Sequence, residues 1–151
     1  YHSQIIRATR IMAQLTFGSC YWSSTTATTL SANTPAKALG STTVLNTNGF
    51  THANNRLTYT GTTTRTFEVT ATISMTSAGA TESIIYVAKN GSVISGSAIK
   101  RKISTGGDIG ALACGVTTQM NENDYVEVFL ENNDGDSMTV EAGTLIAKVI
   151  G

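Results

Sequence analysis

Residues 65–76 read RTFEVTATISMT, and here Phe67, Val69, Ala71, Ile73 and Met75 alternate with Thr66, Glu68, Thr70, Thr72 and Ser74. Successive side chains of an extended chain point to opposite faces, so five alternations in a row describe a strand with one dry and one wet face. The same period continues on both sides: AQLTF (13–17), SCYWSS (19–24), VLNTN (44–48) and RLTYT (56–60) precede it, and ALACGVTTQM (111–120), DYVEVFLEN (124–132), SMTVE (137–141) and TLIAKVI (144–150) follow. Turn residues divide these runs. Asn48-Gly49, Asn90-Gly91 and Asn133-Asp134-Gly135 mark turns, and Asn90-Gly91 lies between two β-rich runs within 82–103, where both residues accept the positive φ of a type I′ hairpin. Residues 50–55, FTHANN, read as a short link, and the polar run 25–40, which holds the only proline, Pro35, reads as extended chain crossing the surface. Roughly ten short strands with no helix between them specify an all-β sandwich or barrel.

A chain of 151 residues fits one domain with a real core. Charged residues make up 13%, about half the usual share, and ten basic side chains cancel ten acidic ones. A net charge of zero gives no broad positive field, so nucleic acid is not an expected partner. The same neutrality offers little repulsion between copies and makes a homo-oligomer the default expectation. No run approaches the roughly 18 apolar residues of a membrane span, and no basic segment followed by an apolar one opens the chain, so no membrane insertion is expected. Residues 1–12 differ from the rest, with two arginines and a helix-compatible order of Ile5, Ile6, Ala8 and Ile11, and read as an arm or linker before a domain at 13–151. Tyr1 is not an initiator, so this arm reads as the end of a longer polypeptide or as sequence upstream of a start at Met12.

No catalytic constellation assembles from the sequence. The two histidines, His2 in the arm and His52 in the link, lie outside any nucleophile–base motif, and G-x-S-x-G is absent. Asp124, Glu127, Glu131, Asp134, Asp136 and Glu141 crowd the C-terminal third, as a glycosidase carboxylate pair could, but most alternate with apolar residues or sit in turns, which describes solvated strand faces. Asp134 and Asp136 in ENNDGDS are the candidates for a calcium ion, although the closing glutamate of a known calcium loop is missing and an Asp-Gly hairpin turn accounts for the spacing. Gly106, Gly107 and Gly110 do not lead from a strand into a helix, so no phosphate cradle and no cofactor is expected. Cys20 and Cys114 match no metal motif and read as reduced, packed thiols, with a single bridge between them as the alternative. Asn90-Gly91-Ser92 formally makes a glycosylation acceptor that its turn role already explains. Tyr21 and Trp22 fit core or subunit contact better than a sugar-stacking platform.

Two groups remain as candidate contacts. Lys100, Arg101 and Lys102 form the only basic run, with Lys100 and Lys102 on one strand face and Arg101 on the other. They read as an edge strand guarded against aggregation, or as a contact to an acidic glycan or a neighbouring subunit. In DYVEVFLEN, Val126, Val128 and Leu130 fall on one side and Tyr125, Glu127 and Phe129 on the other. If the first set fills the core, the two aromatics stay wet in a lone copy, at about 1.5–3 kcal/mol each, and a second copy could cover them. Leu145, Ala147 and Val149 against Ile146 and Ile150 likewise suggest a sheet covered on both faces.

The order RTFEVTATISM, VAKNGSVI, a glycine-rich link, DYVEVFLEN and a closing GTLIAKVI resembles the tumour necrosis factor and complement globular-head superfamily, especially members that end bacteriophage fibres or sit on virion surfaces. The resemblance implies a ten-stranded antiparallel jelly roll that forms homotrimers. It further implies that the first, last and D-Y-V-x-V strands share the sheet facing the three-fold axis, with Phe67 to Met75 beside them, which puts Tyr125, Glu127 and Phe129 at the trimer interface. The implied function is non-enzymatic: a virion surface module, the head of a phage tail fibre or spike, binding a bacterial surface receptor, a glycan among the candidates. A capsid decoration protein whose arm docks on other virion proteins is the alternative.

Overall fold

The computed structural model describes residues 15–151, and the arm expected at 1–12 lies outside them. In chain order the strands are β1 (Phe17–Ser24), β2 (Ala27–Thr28), β3 (Ala36–Lys37), β4 (Ser41–Asn48), β5 (Phe50–Ala53), β6 (Arg56–Tyr59) and β7 (Arg65–Ser77). They continue with β8 (Thr81–Lys89), β9 (Ser92–Val93), β10 (Ile99–Ile103), β11 (Gly110–Met120), β12 (Tyr125–Asn132) and β13 (Met138–Val149). A single 3-10 turn at Ser95–Ser97 is the only helical element among the described residues, and no helix there is long and apolar enough to cross a membrane. Three of the thirteen strands are two-residue ladders, and the other ten have four residues or more.

Two antiparallel sheets enclose the core. One has the order β11-β7-β13-β1-β4 with β2 on β13, the other β10-β8-β12-β6-β5 with β3 on β12 and β9 on β8. The strand at 65–77 lies between β11 and β13 in the first sheet, and its alternation holds in outcome: Phe67, Val69, Ala71, Ile73 and Met75 are all fully buried. Phe67 meets Phe50 and Tyr59 at centroid distances of 5.2 and 4.9 Å, and this aromatic trio joins the two sheets. The polar run at 25–40 carries the chain from one sheet to the other, since β2 pairs with β13 and β3 with β12. Asn90 and Gly91 take φ of 51° and 80°, the left-handed pair that a two-residue hairpin between β8 and β9 requires.

Two expectations are corrected. FTHANN is not a link: Asn54 and Asn55, with φ of 51° and 58°, turn a tight hairpin between β5 and β6. The D-Y-V-x-V strand, β12, does not share a sheet with the first and last strands. The chain crosses between sheets at the Asn132–Ser137 turn, so β13 joins β1 and β7 while β12 stays with β8 and β6. Neighbours in sequence become opposite layers in space, as Greek-key windings produce.

Candidate functional site

The β5–β6 hairpin and the connection from β3 into β4 face each other across a cavity of about 420 Å³ lined by Lys37, Leu39, Gly40, Ser41, Thr42, His52, Asn54 and Asn55. Asn55 ties its two walls together. Its side-chain amide donates to the Gly40 carbonyl at 2.7 Å, and its Oδ1 accepts from the Thr42 amide at 3.0 Å and the Thr42 hydroxyl at 2.9 Å. Thr42 has one hydroxyl proton and gives it to Asn55, so at 2.7 Å from His52 Nε2 it can only accept. The network therefore assigns the proton of a neutral His52 to Nε2 and leaves Nδ1 as an acceptor. Among the described residues no hydrogen bond engages His52 Nδ1, the Asn54 side-chain amide or the Ser41 hydroxyl.

A buried ion cluster supports this wall. Glu127 is 2% exposed, and its Oε2 lies 2.7 Å from Lys37 Nζ and 3.3 Å from Arg56 Nη2, as ion pairs without hydrogen-bond alignment. Lys37 Nζ also donates to the Asn54 carbonyl, which pins the cation at the floor of the hairpin. The Arg56 guanidinium stacks on Tyr125, 3.9 Å above the ring centroid. One carboxylate thus faces two cations, and among the described residues no other carboxylate pairs with either.

This arrangement corrects the wet face expected on β12. Val126, Val128 and Leu130 fill the core, but Glu127 is buried inside the protomer, Tyr125 lies under Arg56, and Phe129 is half-buried between Tyr86 and Lys37 in the sheet register. The reading of Glu127 as a solvated carboxylate fails because its countercharges, Lys37 and Arg56, come from distant parts of the chain.

The structure separates the remaining candidates. Lys100, Arg101 and Lys102 lie on β10, the exposed edge of the second sheet opposite β5, and Lys100 reaches Glu82 at 3.5 Å. Asp134 and Asp136 flank a turn organised by the buried Asn132, whose Oδ1 accepts from the amides of Asp134 (3.3 Å) and Gly135 (2.7 Å) and whose Nδ2 donates to the Asp136 carbonyl at 2.7 Å. Among the described residues no group of three or more His, Cys, Asp or Glu side chains converges. Cys20 and Cys114 are free and buried, and burial pushes both thiols up to about 11. Asn90 donates its side-chain amide to Asp124 Oδ1 (2.8 Å), and its Oδ1 accepts from the Tyr125 amide (3.0 Å), in keeping with its turn role. His2 lies outside the described residues.

On the far side of the molecule, the outward face of the first sheet is uncharged across its middle. Ala113, Thr72, Thr144 and Tyr21 stand in one row, and Gly115, Thr70, Ile146 and Ser19 in the next. Tyr21 and Ile146 are each 37% exposed there. Charge returns only toward the ends, as the Glu68–Lys148 pair at 3.8 Å and Glu141, which accepts from Thr76 at 2.8 Å. Beside the first row a groove of about 390 Å³ opens among Tyr21, Trp22, Ser74, Ala111, Ala142 and Gly143. A bulge between Val140 and Ala142 sets this shape by turning Gly143 inward, where a Cβ would come within 2.5 Å of Ile73.

No protein-family model matches the chain, and no curated protein matches it in sequence. Among solved structures it is similar to murine APRIL, in a crystal structure at pH 5.0, with a TM-score of 0.55 at 7% identity over 85% of this chain and 98% of that one. It is also similar to Eiger TNF from S. frugiperda, with a TM-score of 0.53 at 11% identity over 89% and 94% of the two chains. The fold is a tumour-necrosis-factor-like jelly roll. At these identities the likeness is one of architecture, and it agrees with the all-β antiparallel sandwich expected from the strand pattern.

Proposed function

We propose that the protein is a non-enzymatic assembly and recognition module, in which three copies pack through the outward face of the β11-β7-β13-β1 sheet and leave the cleft, which lies between β4 at that sheet's edge and the β5–β6 hairpin of the other, free to meet a ligand. The observation that carries this reading is the uncharged central band of that face. Threonine, alanine, glycine and serine keep its side chains short, Tyr21 and Ile146 supply apolar area, and no charged side chain in either row would have to be desolvated on contact. Two observations on the described residues support the non-enzymatic half: both thiols are buried and held protonated, and the Thr42 hydroxyl beside His52 gives its proton to Asn55 and not to the imidazole. The setting that fits is the one implied by resemblance, the head of a phage tail fibre or spike at the virion surface, where three equivalent sites raise weak binding to a bacterial receptor through avidity.

Light scattering on dilute protein tests the assembly. The wild type is expected at three times the 15.8 kDa of one chain, Ile146→Asp at the mass of one chain, and Phe129→Asp at the wild-type mass, because β12 lies in the other sheet. A wild type that stays a single chain, or an Ile146→Asp protein that keeps its mass, overturns the reading.

A further inference from the structure

We propose that the cleft between the β5–β6 hairpin and the β3–β4 connection binds one acidic sugar unit, a hydroxyl-rich ring carrying a single carboxylate. The proposal deepens the recognition half of the function above and rests on it only for the ligand's source, a surface polysaccharide. Binding itself rests on the cleft.

Four features point to this chemistry. First, the walls are pre-organised: Asn55 is spent on Gly40 and Thr42, so the cleft keeps its shape without a ligand and little ordering entropy opposes binding. Second, the unspent groups alternate in kind. His52 Nδ1 accepts, the Asn54 amide donates and accepts, and the Ser41 hydroxyl does both, which suits a ring of hydroxyls, each a donor and an acceptor. Third, Leu39 is 44% exposed at the rim and offers an aliphatic surface to the C–H face of a sugar. Fourth, the charge does not balance. Lys37, the only lysine or arginine lining the cleft, shares the single carboxylate of Glu127 with Arg56, so the cluster of three carries one net positive charge, and the only hydrogen bond Lys37 Nζ donates is to the Asn54 carbonyl. A carboxylate on the ligand would meet that surplus. The volume of about 420 Å³ stands near the lower end of the range for small-molecule sites, roughly 300–1,000 Å³, which admits a sugar ring.

The test is an amide chemical-shift titration of the full chain with sodium glucuronate, with glucose as the neutral counterpart and sodium acetate as the carboxylate alone. Glucuronate is expected to shift the amides of Ser41, Thr42, His52 and Asn54 saturably, with a Kd on the order of 1 mM for so small a ligand. Glucose is expected to move the same amides roughly tenfold more weakly, the scale of one lost charge-assisted hydrogen bond, and acetate to leave them unsaturated. Asn54→Gly removes the side-chain amide while glycine adopts the φ of 51° freely, so the fold should persist and glucuronate binding should fall about tenfold. Absence of saturable shifts up to ~50 mM overturns the proposal, as does glucose or acetate matching glucuronate, or Asn54→Gly binding like the wild type. A protein that proves to be a single chain by scattering leaves this titration readable, and a trimer whose cleft amides do not move refutes the cleft alone.

Discussion

Glu127→Gln keeps the volume of the side chain and removes its charge, which isolates what the buried carboxylate does. Glu127 is 2% exposed, and its two cations are partly hydrated, with side-chain exposures of 28% for Lys37 and 32% for Arg56. Removing one partner of a fully buried ion pair costs about 3–5 kcal/mol. Here both cations can turn toward water, so the expected loss is discounted to about 1–3 kcal/mol. With a urea m-value of about 1–3 kcal/mol/M, the unfolding midpoint should fall by roughly 0.5–2 M. Most of the loss should survive at high salt, because a partly buried pair is screened much less than an exposed one. Protein concentration must be held fixed, since association shifts the midpoint by mass action. Adding Lys37→Met should recover part of the loss, because a lone Arg56 stacked on Tyr125 tolerates the amide better than two cations do. A Glu127→Gln midpoint equal to the wild type would refute the claim that this carboxylate is a buried counterion, and with it the charge argument for the cleft.

Asn132→Ala removes three side-chain hydrogen bonds from a fully buried residue and should cost about 2–3 kcal/mol, lowering Tm by roughly 5–10 °C, read by calorimetry. If the Asp134–Asp136 turn is organised by Asn132, millimolar calcium should leave the wild-type Tm unchanged; a rise would restore the metal reading of those carboxylates. With thiols near 11, about one in a thousand is ionised at pH 8, so Cys20 and Cys114 should resist a thiol reagent until urea unfolds the chain. Burial alone would raise the Asp124 carboxyl, but the Asn121 amide, the Asn90 side chain and Lys89 outweigh it and hold it below its ordinary 3.8. A depressed folded value stabilises above the unfolded one and is lost as pH falls, so Asp124→Asn should weaken the protein at neutral pH and flatten the stability loss below about pH 4.

Local signals carried the strands and turns. The alternation of 65–77 and the Asn90-Gly91 hairpin were legible because each depends on residues a few positions apart. What escaped depends on contacts between distant segments. The membership of β12 in the second sheet follows from a crossover at Asn132–Ser137 that no periodicity reports. Glu127 occupies a position that alternation marks as outward, and only the arrival of Lys37 and Arg56 from about 90 and 70 residues away turns it into a buried counterion. The Asn54-Asn55 hairpin left a sequence mark, since paired asparagines tolerate positive φ nearly as glycine does, but the runs flanking it were too short to frame it. The cleft was invisible for the same reason: its walls are the hairpin and the β3–β4 connection, joined by Asn55 across more than a dozen residues.

The crossover that moved β12 also keeps the ion cluster and the neutral face on different sheets. Had β12 lain beside β13, its glutamate and aromatics would share a face with Tyr21 and Ile146, and any copy packing there would have to desolvate a charge cluster. Because the chain changes layer at Asn132–Ser137, the ion cluster sits on one sheet and the neutral threonine face on the other. Desolvating a cluster with one carboxylate for two cations is costly, whereas burying threonine methyls, Tyr21 and Ile146 carries no such penalty. Assembly through the outward face of the first sheet and charge-assisted binding at the cleft between the sheet edges are thus compatible within a single protomer.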